Sequence, residues 1–262
     1  MNFRSSARGP YQNRPKKNMM VIGQENVREA IINGTQIERI YLSTSSFGQS
    51  SSALRKLAEE KNIPVNKVPD EKLNSFNVSD HDGCIAIKGK ITYQDLQSII
   101  SFTVEKGEVP LILILDGITD IRNIGALART AYCCGVHALV IPDKGVGALN
   151  EDAIATSAGA LELIAVCRVT SLVKAIEDLN LNGIKVYGTV MNADKKLYDI
   201  SLTEPTAIIL GSEDKGIQPS LLKMCDESFS IPMTGDFESF NVSVAAGMVL
   251  YETMRQRAIA IQ

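Results

Sequence analysis

The sequence lacks the features of membrane-spanning and secreted proteins. It contains no apolar run near the roughly 20 residues that a helix needs to cross a bilayer, and its first residues contain no apolar signal-peptide core. The 262-residue chain is 45% hydrophobic and 22% charged, an ordinary composition for a folded protein. We therefore expect a cytoplasmic protein with one large domain or two modest ones.

The cysteines lack the spacing of a zinc site. They are Cys84, Cys133, Cys134, Cys167 and Cys225. No two of them form a CxxC pair, which structural zinc sites commonly use. We expect buried free thiols in a reducing compartment, and no bound metal.

Three nucleotide-binding signatures are also missing. No strand is followed by GxGxxG, which a nicotinamide-dependent oxidoreductase would carry, and no Gly-Lys-Ser/Thr of a P-loop occurs. The glycine-rich loop of the common Rossmann-type methyltransferases is absent as well. These absences argue against a dinucleotide-dependent enzyme and against a P-loop nucleoside triphosphatase.

Acidic residues are absent before Glu25, although the net charge of the chain is −3. The same stretch is basic at Arg4, Arg8, Arg14, Lys16 and Lys17. Residues 1–18 are thus expected to form a disordered basic tail. Such a tail gains affinity from RNA phosphates by counterion release, or it serves only as a solvated leader; both interpretations stay open.

Residues 19–90 have the pattern of a small α/β domain. Helices are predicted at 23–33 and 52–61, and strands at 39–42, 65–68 and 84–87. His81 lies in a turn before the last strand, where it is either a surface turn residue or an RNA contact. Residues 91–108 are predicted to be a connector with a short helix at 94–100.

From Leu111 onward, predicted strands and helices alternate. Strands are expected at 111–115, 137–141, 164–169, 184–190 and 206–210, and helices at 152–160, 172–179 and 242–257. A further helix is expected to start with Asn123 as its N-cap and to end before Gly135. This alternation predicts an α/β domain with a largely parallel sheet over 109–262.

Ligands of parallel sheets bind beyond the carboxyl ends of the strands, and three segments there carry polar residues. The first carries Asn123 and Arg129, the second is Gly211-Ser-Glu-Asp-Lys-Gly216, and the third is Ile231-Pro-Met followed by Ser239-Phe-Asn241. Taken singly, each is ambiguous: Arg129 fits a surface ion pair, and the asparagines fit helix caps.

Together these segments resemble, in order and spacing, the three motifs of the SpoU/TrmH family, the ribose 2′-O branch of the knotted SPOUT methyltransferases. The resemblance covers about 109–257, and 19–90 resemble the L30e-like RNA-binding domain that precedes it in some members. Phe240 replaces the usual leucine of the third motif. Asp82 stands where relatives commonly have glutamine, which weakens an RNA role for that turn.

The resemblance implies a trefoil-knotted, dimeric enzyme that uses S-adenosylmethionine to methylate a ribose 2′-hydroxyl in structured RNA. The two-domain layout is most similar to enzymes that form 2′-O-methylguanosine in 23S ribosomal RNA. A transfer-RNA substrate, or a non-catalytic RNA-binding role, is the alternative. The implied catalytic residues are Arg129, Asn123, Glu213 and Asn241. The implied cofactor-binding residues are Gly211, Ile231, Phe240, Leu210, Val242 and Thr189.

Overall fold

The structure is a computed structural model that describes residues 19–61, 63–146, 149, 151–235 and 239–260. The predicted basic tail at 1–18 lies outside the described residues. The chain divides into two compact units, with the boundary between Gly89 and Lys90. We call them the small unit and the large unit.

The small unit is built on a four-stranded mixed sheet. Its strands are β1 (Met20–Ile22), β2 (Ile37–Ser43), β3 (Val65–Val68) and β4 (Cys84–Lys88). The order is β1-β4-β2-β3, with β4 antiparallel to both neighbours and β3 parallel to β2. The helices are α1 (Gln24–Ile32), α2 (Gln49–Glu60) and α3 (Asp70–Asn74).

The alternation of side chains along β4 explains the layers of the small unit. Cys84 and Ala86 point to one face, where they pack with residues of α1 and α2. Ile85 and Ile87 point to the other face, where they pack with Leu73 of α3. Because successive side chains of a strand face opposite sides, one short strand contributes to both cores. The sequence pattern predicted neither β1 nor α3, which are short.

The large unit is built on a seven-stranded sheet in which every strand pair is parallel, which confirms the predicted α/β architecture. Its order is β7-β6-β5-β10-β8-β11-β9. The strands are β5 (Leu111–Leu115), β6 (Ala138–Pro142), β7 (Ala165–Val169), β8 (Lys185–Thr189), β9 (Lys195–Lys196), β10 (Thr206–Leu210) and β11 (Glu227–Ser230).

Helices cover both faces of this sheet. They are α4 (Leu96–Glu105), α5 (Ile121–Cys133), α6 (Glu151–Thr156), α7 (Ala160–Leu163), α8 (Leu172–Leu181), α9 (Pro219–Leu222) and α10 (Val242–Ala260). On β5, Leu113 packs in the core formed with α5 and α10, whereas Ile112 packs in the core formed with α4 and α8. A strand buried on both faces needs the continuous apolar run that predicted it.

Two segments of the large unit differ from the expectations. Residues 91–108, expected to be a connector with a short helix at 94–100, contain the longer helix α4, whose Leu96 and Ile100 are buried against the sheet. The helix expected at 152–160 divides into α6 and α7, because Ala158 and Gly159 have positive φ angles of 50° and 86°, which a helix does not accommodate.

All five cysteines are free. Cys84 and Cys167 are buried as expected, and burial raises the pKa of each thiol to about 12, so both stay protonated at neutral pH. Cys133 is exposed, contrary to the expectation of buried thiols, because it lies on the outer face of α5. No helix within the described ranges has the length and apolar character needed to cross a bilayer.

Candidate active site

A cavity of about 310 Å³ lies at the carboxyl edge of the large sheet. Its walls come from the ends of β8 and β10, the segment after β11 and the first turn of α10. Because β5, β10, β8 and β11 are consecutive in the sheet, the loops that follow these strands gather at one edge. Ligand pockets commonly have volumes of about 300–1,000 Å³, so the cavity can hold a small organic ligand.

Every residue that the resemblance assigns to the cofactor lines this cavity. These residues are Thr189, Leu210, Gly211, Ile231, Phe240 and Val242. Leu210 and Val242 are buried apolar side chains, and the hydroxyl of Thr189 donates to the Ile209 carbonyl oxygen at 2.9 Å. Thr189 is thereby fixed to the neighbouring strand, and the walls near it are largely apolar.

The loop of residues 211–217, which we call the cavity loop, has no room for a side chain at its first residue. A Cβ atom on Gly211 would lie 2.1 Å from the carbonyl carbon of Gly216, because the loop turns back on itself. The turn is closed by the Gly216 amide, which donates to the Ser212 carbonyl at 2.9 Å. Gly216 itself has a φ angle of 65°, a conformation that favours glycine. Backbone rather than side chain therefore forms this part of the wall.

Three polar residues from three separate segments meet at the rim of the cavity. The Asn241 amide donates to Glu213 Oε1 at 2.7 Å and to Asn123 Oδ1 at 3.2 Å. The Asn123 amide donates to the same Glu213 oxygen at 3.3 Å. The sequence separates these residues by up to 118 positions, and the fold brings them into one hydrogen-bonded cluster.

Helix α10 holds Asn241 in place. Asn241 Oδ1 accepts from the Ser243 amide at 3.0 Å, and the Asn241 carbonyl accepts from the Ala245 amide at 2.9 Å, which is the pattern of an N-cap. The Val242 amide points to Glu213 Oε1 at 3.4 Å. Glu213 is therefore held by the first turn of α10 as well as by the side chain of Asn241.

The prediction that Asn123 is an N-cap is wrong. Helix α5 starts three residues earlier than predicted, and its N-cap is Asp120, whose carboxylate accepts from the Arg122 amide at 2.9 Å. Because Asp120 satisfies the helix end, the side chain of Asn123 is free to turn towards Glu213. The predicted C-terminal end of this helix is confirmed, since Gly135 follows the C-cap with a φ angle of 72°.

Arg129 does not join this cluster within one chain. It lies on the exposed side of α5, and no hydrogen bond or ion pair to it is present in the part of the chain that the structure describes. Its six-residue separation from Asn123 corresponds to about 9 Å along the helix axis. A bare guanidinium at this position is available to an RNA phosphate or to another protein chain.

Sequence reasoning did not assign several residues of the cavity wall to the cofactor, although two of them, Met233 and Ala245, lie in the third motif. Met191 follows the end of β8, Met233 follows β11, and Ala245 lies one turn into α10. The signal that could have found Met191 was the rule that the carboxyl ends of parallel strands form the binding edge. The positions of Met233 and Ala245 in the cavity wall depend on how their segments fold back towards the sheet, which sequence spacing does not reveal.

In comparisons with known proteins, each of the two units matches a family model of RNA methyltransferases. Residues 110–251 match the family model described as the SpoU rRNA methylase family, and residues 20–93 match the one described as RNA 2′-O ribose methyltransferase substrate binding. The name of YacO from Bacillus subtilis places it among TrmH family tRNA/rRNA methyltransferases. YacO is 32% identical over 237 residues, which is 90% of this chain and 95% of YacO.

Another relative and two solved structures agree with these matches. A Staphylococcus aureus protein with the same family name is 34% identical, over 91% of this chain and 96% of its own. The SpoU methyltransferase AviRb from Streptomyces viridochromogenes, solved with AdoMet, has a TM-score of 0.58 at 22% identity, over 92% of this chain and 90% of its own. The TrmH/SpoU tRNA modifying enzyme of A. aeolicus has a TM-score of 0.53 at 26% identity, over 63% and 85%.

Proposed function

Because the chain belongs to the SpoU rRNA methylase family, we propose that it methylates the ribose 2′-hydroxyl of a guanosine in 23S ribosomal RNA. The coarser activity follows from the family: the chain is an RNA methyltransferase that uses S-adenosylmethionine. The observation that carries the proposed chemistry is the cluster of Glu213, Asn123 and Asn241 at the rim of a cavity with a backbone wall.

The residues of the cavity fit S-adenosylmethionine. Its adenine ring and the methylene groups next to its sulfur need apolar contact and close approach of backbone, and the wall offers Leu210, Ile231 and the bare backbone of Gly211. The positively charged sulfonium is compatible with the carboxylate of Glu213 at the rim. When bound, the cofactor supplies a methyl group on an electron-poor sulfur.

The proposed role of the polar cluster is to orient the ribose. The amide of Asn241 is held by its two bonds to Glu213 and Asn123, so the cluster presents acceptors and donors in fixed positions. As the bond between the 2′-oxygen and the methyl carbon forms, the bond between that carbon and the cofactor sulfur would break to leave a neutral thioether, and the hydroxyl proton would pass to solvent water. A pre-oriented set of polar groups lowers the barrier because it does not need to reorganise during the reaction.

In this proposal Arg129 stabilises the negative charge that develops on the 2′-oxygen and holds an RNA phosphate. A guanidinium stays protonated in proteins, so it acts as a donor and not as a base. Arg129 has no bond to the cluster of its own chain, which supports a dimer in which Arg129 serves the site of the partner subunit.

The outer face of α10 supports such a homodimer. Val244, Met248 and Tyr251 recur at helical spacing on this face and are 48%, 37% and 68% exposed. The same helix packs on α5, where an added Cβ on Gly247 would meet Thr130, the neighbour of Arg129, at 3.8 Å. Tyr251→Asp is expected to shift the protein from dimer to monomer in sedimentation velocity, whereas Leu181→Asp, at an 84% exposed position of the same unit, is not. A Tyr251→Asp protein that stays dimeric would place the interface elsewhere.

The substrate is tested by mapping ribose methyl groups. RNA is isolated from a strain that lacks the gene and incubated with purified protein and S-adenosylmethionine carrying a labelled methyl group. We expect label at the 2′-oxygen of one guanosine in 23S ribosomal RNA. Label confined to transfer RNA would move the proposal to the alternative supported by the likeness to the A. aeolicus enzyme. Label on a base, or none, would contradict the proposed reaction.

A further inference from the structure

Asp116 connects both ends of the cavity loop. It is the first residue after β5, and only 1% of it is exposed. Its amide donates to the Leu210 carbonyl at 2.9 Å, where the loop begins. Its carboxylate accepts from the Gln218 backbone amide and from Gln218 Nε2, each at 2.6 Å, where the loop ends. One residue therefore fixes the distance between the two ends.

The burial of this carboxylate requires these bonds. A carboxylate buried in a protein is destabilised unless hydrogen bonds or a counter-ion compensate for its lost hydration. The structure shows no salt bridge to Asp116 within the described ranges, and both carboxylate oxygens are bound to Gln218. Short bonds to a charged acceptor are stronger than neutral ones. Asp116 does not line the cavity, so its carboxylate acts on the loop and not on a ligand.

The cavity loop is rigid, so the position of Gln218 determines the position of the wall residues Gly211 and Glu213. Gly211 and Gly216 are in such close contact that no Cβ fits between them, and Ile217 is buried at 6% exposure. A loop that is closed on itself and anchored by a buried side chain cannot absorb a shift of its end by flexing. Displacement of Gln218 therefore moves Gly211 and Glu213 relative to the other walls.

We propose that Asp116 is a positioning residue for the cofactor: by binding Gln218 it sets the loop shape that S-adenosylmethionine requires. The inference rests on the proposed function only in placing the cofactor in this cavity, and it is independent of which RNA is methylated. It predicts that the Asp116–Gln218 pair controls cofactor affinity although neither residue is placed to touch the cofactor.

Three variants of the full chain test the pair. Gln218→Glu places two carboxylates at hydrogen-bond distance, which like charges oppose. Asp116→Asn is milder, because the Gln218 amide can turn and accept from the new Asn amide. The double variant Asp116→Asn with Gln218→Glu restores one acceptor for the backbone amide and one donor for the new carboxylate, with the original donor and acceptor roles exchanged.

The measurements are the Kd for S-adenosylmethionine by calorimetry and the exchange rates of amides 212–218 in the cofactor-free protein. Gln218→Glu is expected to weaken binding about tenfold or more and to speed exchange, and the double variant is expected to return to within about threefold of wild type. The proposal is overturned if folded Gln218→Glu protein binds like wild type, or loses only thermal stability.

The double variant also decides the matter if Gln218→Glu does not fold. Recovery of folding and of cofactor affinity in the double variant supports the pair, and a folded double variant with weak affinity overturns it. Failure of the proposed function has a different signature. Wild-type protein would then bind S-adenosylmethionine and show the same dependence on the pair, but it would methylate no ribose in RNA.

Discussion

The two units use their polar side chains for different purposes. In the small unit, His81 accepts from the Gly83 amide at 3.1 Å and pairs with Asn74 at 3.0 Å, so it holds a turn closed. In the large unit, Asn123, Glu213 and Asn241 come from distant segments and meet at the rim of a cavity. The contacts of His81 stay within ten residues of the sequence, whereas the contacts at the rim join segments that are up to 118 positions apart.

The sheets explain this difference. All strands of the large sheet run in one direction, so the loops after β5, β8, β10 and β11 gather at one edge. The small sheet mixes directions, because β4 is antiparallel to both of its neighbours, and its loops leave from both edges. We therefore expect catalysis to depend on the large unit and RNA affinity to depend on the small one. The following variants test this division, from the largest expected effect to the smallest.

Arg129→Ala is expected to lower kcat about a hundredfold or more, because it removes a group that stabilises charge only in the transition state. The melting temperature and the Kd for S-adenosylmethionine should change little, since Arg129 is exposed and does not line the cavity. Arg129→Lys should not restore the rate, because an ammonium lacks the planar fork of a guanidinium.

Single-turnover methylation of the RNA substrate measures this effect. The matched control is Lys174→Ala, which removes an exposed helical cation of the large unit away from α5 and α10, one that is paired with Asp178 at 2.9 Å. Near-wild-type turnover by folded Arg129→Ala protein would remove Arg129 from the proposed catalytic set.

Gly211→Ala is expected to weaken cofactor binding about tenfold, because its Cβ would lie 2.1 Å from a backbone carbon and overpacking costs about 1–3 kcal/mol. The control is Gly247→Ala in α10, whose Cβ would meet only Thr130, at 3.8 Å. Calorimetric titration with S-adenosylmethionine compares the two. Equal affinities would mean that the cavity loop is not the cofactor wall.

Sequence reasoning predicted the apolar strands better than the polar contacts. The bounds of β5 and β10 agree with the prediction, because a strand buried on both faces leaves an unbroken apolar run. Two strands were not predicted: the polar strand β11 (Glu227–Ser230) and the two-residue strand β9. Neither has an apolar run, and each is a strand because it pairs with a neighbouring strand in the folded sheet.

The candidate site was predicted as a set of residues and not as a geometry. The motif order singled out Asn123, Glu213 and Asn241, but only the fold shows that they share hydrogen bonds. Nothing in the sequence indicated that Asp116 pairs with Gln218. The burial of a carboxylate and its hydrogen-bond partners become visible only in the folded structure. The trefoil knot stays a prediction, as do the individual roles of the site residues.

Phe47→Ala tests the small unit. Phe47 is 87% exposed, and stacking of one base on an aromatic ring contributes about 1–3 kcal/mol. We expect the KM for RNA to rise about tenfold, while kcat and the Kd for S-adenosylmethionine stay unchanged. The control is Leu181→Ala, which removes an 84% exposed apolar side chain from the large unit. A change in kcat, or an unchanged KM, would contradict the assignment of RNA recognition to the face that carries Phe47.

The smallest expected effect is a difference in how acid affects the two units. In the large unit, bonds from Arg255 lower the pKa of Glu252 from 4.5 to about 2. In the small unit, bonds from Ser43 and then Ser45 lower the pKa of the exposed Asp70. A carboxylate with a lowered pKa stabilises the fold above its unfolded pKa, and this contribution is lost as the pH falls through the folded pKa.

Glu252→Gln should therefore reduce the unfolding free energy of the large unit at pH 7, by about 1 kcal/mol or less because its arginine partner is half exposed. The difference from wild type should shrink between pH 4.5 and about 2, as Glu252 itself becomes protonated. Asp70→Asn should act in the same direction, but on the small unit alone. Amide exchange resolves the two units at each pH. If Glu252→Gln changed exchange in the small unit as much as in the large one, the two units would unfold together, and their separate roles would not extend to their stability.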